Sequence, residues 1–190
     1  MARNLELKVR CDEDTFTAVQ KRALLAGSGP FIPLRQVDTY VQAPYGHLKL
    51  RTTESEDGGS TAELIAYQRP DESDSRWSDY HRVPLGPECV AGIETALVAA
   101  CGVKAIVDKR REVAILGRTR IHLDRVVELG SFIELETVAG PNDDDANLAR
   151  EHVEVIGILQ LGGLERVSGS YGELIERVAR STQSRKGSSR

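Results

Sequence analysis

Segments that alternate apolar and charged side chains recur along this chain. A period of two is the repeat of a β-strand, whose side chains point to opposite faces in turn. In Asn4-Leu5-Glu6-Leu7-Lys8-Val9-Arg10, Glu6, Lys8 and Arg10 share one face and Leu5, Leu7 and Val9 the other. In Phe132-Ile133-Glu134-Leu135-Glu136-Thr137-Val138, Glu134 and Glu136 stand together opposite Ile133 and Leu135. Cations come in the same form: Lys49 with Arg51 in His47–Arg51, and Lys109 with Arg111 in Val107–Arg111. Arg69 closes the run Leu64-Ile65-Ala66-Tyr67-Gln68, and Arg118 and Arg120 precede Ile121-His122-Leu123-Asp124. A strand wetted on one side accounts for any one of these segments. Together they set paired carboxylates in one place and cations in others, which is what a site for a polyanion plus a metal ion needs.

The chain has 190 residues, the size of one domain with a real core. Its net charge of -4, from 25 Lys and Arg against 29 Asp and Glu, gives no electrostatic support for a nucleic-acid partner. Aromatic residues make up 5%, which argues against a base-stacking platform. Cys11, Cys89 and Cys101 are odd in number and widely spaced, against a disulfide framework or a cysteine zinc site. Met1 leads straight into a polar strand, and no apolar run approaches the ~18 residues of a membrane span. The expectation is a reduced, soluble, cytoplasmic protein with no membrane partner.

Strands are predicted at 4–11, 31–42, 46–53, 62–68, 77–83, 104–112 or beyond, 119–129 and 131–138. Helices are predicted at 14–26, with Asp12 or Asp14 as N-cap, at 87–101, at 144–161, and as a short element from Tyr171. Pro70–Arg76 reads as a mobile loop, and 181–190, rich in Ser, Gly, Lys and Arg, as a disordered tail after a single domain at 1–180. About eight strands joined by short turns can close into an antiparallel barrel with charges inward and helices outside. They can equally form an ordinary sheet with its charges in solvent, and the pattern alone does not choose.

In order, these motifs resemble the CYTH superfamily, the triphosphate tunnel metalloenzymes. Asn4-Leu5-Glu6-Leu7-Lys8 matches the family's opening Glu-x-Glu-x-Lys except at Asn4. Gln36–Tyr40, Leu48–Arg51, Tyr67-Gln68-Arg69-Pro70, Ser78-Asp79-Tyr80 and Lys109-Arg110-Arg111 look like the strands that follow. Arg120-Ile121-His122-Leu123-Asp124-Arg125-Val126, then Leu129 to Glu136, resembles the class IV adenylyl cyclases and their near relatives, as does Ser170-Tyr171-Gly172-Glu173-Leu174.

The resemblance implies an α+β fold: a closed antiparallel barrel of about eight strands around a charged tunnel, with helices packed outside. It implies a divalent-metal-dependent enzyme acting on a triphosphate, with Mg²⁺ or Mn²⁺ as cofactor and ATP or another triphosphate as partner. It leaves a homodimer open. Glu6, Glu134 and Glu136 match metal-site carboxylates, and Lys8, Lys49, Arg51, Arg69, Lys109, Arg111 and Arg120 match phosphate contacts. Asp124, with Lys8 and Arg111, is expected to serve catalysis, as a base, as a metal partner or by orienting Arg120. His122 shares the Asp124 face and is expected to bond to it. Three functions fit: cyclisation of ATP to cAMP and pyrophosphate, hydrolysis of a triphosphate, and non-catalytic binding of a nucleotide or polyphosphate. Asn4 carries no charge where the family has Glu, which leaves two readings: a metal subsite lost or weakened there, or a position tolerant of the change within this branch.

Overall fold

Each alternating segment forms a strand, and the strands close on themselves. The computed structural model describes residues 2–68 and 74–187. The elements are β1 (Ala2–Cys11), α1 (Glu13–Leu25), β2 (Ile32–Val41), β3 (His47–Ser55), β4 (Ser60–Gln68), β5 (Arg76–Leu85), α2 (Pro87–Cys101), β6 (Val103–Leu116), β7 (Thr119–Val126), β8 (Gly130–Ala139), α3 (Asp145–Leu159) and α4 (Tyr171–Gly187). The sheet is a closed barrel in the order β1-β5-β4-β3-β2-β6-β7-β8, with antiparallel pairing throughout. β1 closes it, pairing with β5 on one side and β8 on the other.

Closure decides which face is wet. Leu7 and Val9 of β1, Ile121 and Leu123 of β7, and Ile133 and Leu135 of β8 point outward into one buried cluster. Phe16, Val19 and Ala23 of α1 and Val155 and Leu159 of α3 cover them. The main core therefore lies outside the barrel wall, and the charged faces of the same strands are left to line the lumen. Asp12 caps α1 by accepting from the Thr15 amide, and Glu13 ties the helix to Arg125 and Ser131 on the wall. α2 does less covering than its apolar sequence predicts. Val90, Ile93, Leu97 and Cys101 are only half-buried along one face, over β2 and β4.

A second cluster fills part of the interior. Tyr40, Ile65, Tyr67, Val107 and Phe132 meet Val167 and Tyr171, the first residue of α4. The sequence predicts a short helix here and a disordered tail from 181, but α4 runs to Gly187. Its first turn is fixed by buried Tyr171, and extending a nucleated helix costs little even through polar residues. Arg76, placed in a loop by the sequence reading, is instead the buried first residue of β5. The rest of that predicted loop at 70–73, and Arg69, lie outside the described residues.

Gly172 lets α4 approach the lumen. A Cβ there would stand 2.9 Å from the buried Tyr40 ring. Gly172→Ala is expected to destabilise the fold by about 1–3 kcal/mol, the usual cost of overpacking. A denaturant titration checks it, and an unchanged midpoint would mean that the Tyr40 ring yields freely.

Candidate active site

The lumen is organised by three carboxylates. The first is Asp38, in the middle of β2 and fully buried. The antiparallel register sets it opposite Arg51. Arg51 forks onto both its oxygens at 2.6 and 2.8 Å, and Lys49 at 3.0 Å and Lys109 at 2.9 Å share Oδ2. Three cations thus meet on one anion away from water. Burial alone would push the Asp38 carboxyl up, but Arg51, Lys109 and Lys49 hold it well below the usual carboxylate range. The ammonium groups bear the converse strain. Burial and the nearby Arg51 push Lys49 well below the usual lysine value. Burial pulls Lys109 down to about 8; Asp38 opposes this, and Arg51 and Arg111 add to it.

The second is Asp124 on β7, also fully buried. Arg111 donates to both its oxygens at 2.6 Å, and the Tyr171 hydroxyl donates to Oδ2 at 2.8 Å. Burial raises the Asp124 carboxyl and Arg111 more than reverses it. The third is Glu134 on β8, which receives Arg111 at 2.8 Å and stands 3.4 Å from Lys8. Burial is again outweighed, here by Lys8, His122 and Arg111, so Glu134 stays ionised. Lys8 also donates to the Gly169 carbonyl at 3.2 Å and lies 4.0 Å over the Tyr171 ring.

The cations held by these carboxylates, with Glu134, border a cavity of about 350 Å³ lined by seven Lys or Arg side chains and two Glu. Lys8, Lys49, Arg51, Lys109, Arg111 and Arg120, the cations that the family resemblance marks, are all in its wall, with Arg82 added by β5. Arg120 pairs with Glu136 at 3.5 Å and not with Asp124. Glu134 and Glu136 line the cavity as well, whereas Glu6 is buried outside its lining, opposite Glu136 and Arg76 in register.

His122 departs from its expected place. Residues two apart on a strand stand about 6.6 Å apart, and both Asp124 oxygens are already taken by Arg111 and Tyr171. The His122 ring faces Glu134 and Glu136 instead, with Nδ1 3.8 and 3.7 Å from their oxygens. One donor atom from each of the three lies within 4.8 Å of the others. Two carboxylates in this setting suit a hard divalent cation, so the residues fit the metal that the sequence implies. Asp38 and Tyr171 had no predicted role. Asp38 does sit on the alternating face Gln36-Asp38-Tyr40, but only the barrel register shows which cations it meets.

The sequence profile of the CYTH domain family matches residues 2–171. Among solved structures, the PH1012 protein from Pyrococcus horikoshii superposes with a TM-score of 0.71 at 21% identity, over 90% of this chain and 98% of that one. A candidate adenylate cyclase from Vibrio parahaemolyticus gives 0.61 at 20% identity, over 91% and 97%. A Mimivirus capping-enzyme triphosphatase gives 0.55 at 12% identity, over 83% and 89%. No curated protein matches the chain in sequence. At these identities the structures share the fold alone, and the family assignment rests on the profile: an eight-stranded barrel matched over 170 of its 190 residues belongs to the CYTH domain family.

Proposed function

We propose that this protein is a divalent-metal-dependent enzyme acting on a triphosphate held in the barrel lumen, with cyclisation of ATP to cAMP and pyrophosphate as its reaction. The observation that carries the reading is the Lys49, Arg51 and Lys109 cluster, buried around Asp38 and bordering the cavity. One carboxylate cannot neutralise three cations, and the surplus charge is held in low dielectric, where an entering polyphosphate gains most.

Each side chain has a derived part. Asp38 fixes the three cations so that little reorganisation is needed when phosphate arrives. Asp124 orients Arg111, and with both oxygens occupied and its acidity enhanced it is a poor base; it is a positioning residue. Arg111 and Lys8 face the position where charge on phosphate would develop, beside Glu134. Glu134 and Glu136 would hold Mg²⁺ or Mn²⁺, and a bound divalent ion supplies charge stabilisation to phosphoryl and nucleotidyl transfer. In cyclisation the ribose 3′-hydroxyl oxygen bonds to the α-phosphorus, its proton passes to solvent water, and the bond to pyrophosphate breaks. The string Arg120–Val126, which resembles class IV cyclases, favours this reaction. Hydrolysis by water would use the same cations, since they neutralise a triphosphate whichever phosphorus reacts.

Incubation with ATP and Mn²⁺ or Mg²⁺ tests the proposal, with cAMP, pyrophosphate and phosphate read separately. Cyclisation yields cAMP and pyrophosphate in equal amounts. Phosphate without cAMP would replace it with hydrolysis, and binding without any product would leave a non-catalytic module. Glu134→Gln and Glu136→Gln are each expected to cut turnover by about a hundredfold or more, the scale of losing one preorganised charge in a buried site.

Lys109 makes binding depend on pH. Its ammonium loses its proton near 8, and a triphosphate beside it favours the charged form. Tripolyphosphate binding at pH 8 should therefore take up protons at this side chain, and affinity should fall as pH rises beyond 8. Calorimetry in two buffers of different ionisation enthalpy measures the uptake. The Lys109→Met variant should show less uptake than the parent. Equal uptake in both would remove Lys109 from the phosphate site.

A further inference from the structure

His122 is a buried side chain facing the paired glutamates whose chemistry the proposed reaction does not use. It is 4% exposed, and its Nδ1 has no hydrogen-bond partner. A buried ring nitrogen that makes no hydrogen bond is costly, and here its neighbours are two carboxylates at ion-pair distance, a setting that an ion between the three would complete. Nδ1 points between Glu134 and Glu136, at 3.8 and 3.7 Å, too far for hydrogen bonds to either. The three donor atoms already lie within 4.8 Å of one another. A modest contraction would bring them to the separations found around one first-row divalent ion, with ligand bonds near 2.0–2.2 Å.

From this we infer that His122 is a metal ligand, which makes the lumen site a nitrogen-containing one of Glu134, Glu136 and His122. The inference rests on the metal-dependent reading above and sharpens it. The third donor of the group comes from β7; Glu6 of β1 stands opposite Glu136 and Arg76 in register, outside the three-residue group. Register supplies His122 directly, since β7 and β8 pair it with Glu134. The consequence is selectivity. Mg²⁺ favours oxygen donors, whereas imidazole adds affinity for the transition-metal series from Mn²⁺ through Co²⁺. The site should take Mn²⁺ or Co²⁺ in preference to Mg²⁺.

The test uses the full chain with Mn²⁺ and tripolyphosphate, and reads binding rather than turnover. Mn²⁺ bound in the lumen should show nitrogen modulation in the electron spin-echo envelope, the mark of a coordinated imidazole. His122→Gln should abolish that modulation. It should also lower Mn²⁺ affinity by about tenfold or more while changing Mg²⁺ affinity much less, so that the preference narrows. If His122→Gln fails to fold, the parent spectrum decides. Mn²⁺ bound to the parent without nitrogen modulation would overturn the His122 assignment and leave the triphosphate reading standing. No Mn²⁺ binding to the parent, with or without tripolyphosphate, would overturn both.

Discussion

A single buried carboxylate makes the rest of this barrel feasible. Lys49, Arg51 and Lys109 come from β3 and β6, on either side of β2, and all three reach inward to Asp38. Without an anion among them, their burial would meet both desolvation and mutual repulsion, the two most expensive electrostatic terms in a protein interior. Asp38 stands between the two strands because β2 pairs with both. It offsets part of that cost and leaves part in place. The depressed basicity of Lys49 and Lys109 is the residue of the unpaid share. In the proposed function, a ligand of opposite charge completes the balance.

The same logic explains the position of the core. A lumen full of charge cannot also hold the main hydrophobic core, so the stabilising apolar burial lies on the outer wall under α1 and α3. Those helices are thus more than a cover: they allow the interior to be polar. Tyr171 joins the two systems. Its ring meets Phe132 edge-on in the interior apolar cluster, while its hydroxyl bonds Asp124 and its face lies against Lys8. Burial and the neighbouring Asp124 and Glu134 keep that phenol protonated, so it remains a donor to Asp124.

Much of this was legible from alternation, because a period of two assigns faces without any knowledge of partners. The inward sets Lys49 with Arg51, Lys109 with Arg111, and Glu134 with Glu136 follow from it, as does the outward set of β1, β7 and β8. Alternation could not choose between lumen and solvent; the ordered family motifs did that. Neither could it give pairings across the barrel, which depend on register between segments far apart in sequence. Asp38, 71 residues from Lys109, was silent for that reason. Asp124 was noticed, but its partner is Arg111 rather than Arg120, and His122 serves Glu134 and Glu136 rather than Asp124. At the C-terminus composition reports what a segment would do alone, whereas α4 starts from a buried anchor, Tyr171, and extends to Gly187.

Asn4 can now be weighed by position. It is buried, borders the cavity, and stands opposite Val138 on β8 and Ser78 on β5. Glu136 is opposite Glu6, one inward step along the strand, so Asn4 is a diagonal neighbour of Glu136, about 7–8 Å away by strand geometry. A carboxylate at 4 would be the third glutamate in line with Glu6 and Glu136 on the inner wall. The amide removes that charge without removing an oxygen that can meet a cation or a water. It also leaves the lumen more positive, which favours a polyanion and lowers the local charge available to a hard metal ion. With Asn4 uncharged, β1 keeps one carboxylate at this end of the wall, Glu6 opposite Glu136, and in the proposed site the metal would rest mainly on what β7 and β8 supply. Those strands place an imidazole and two carboxylates side by side.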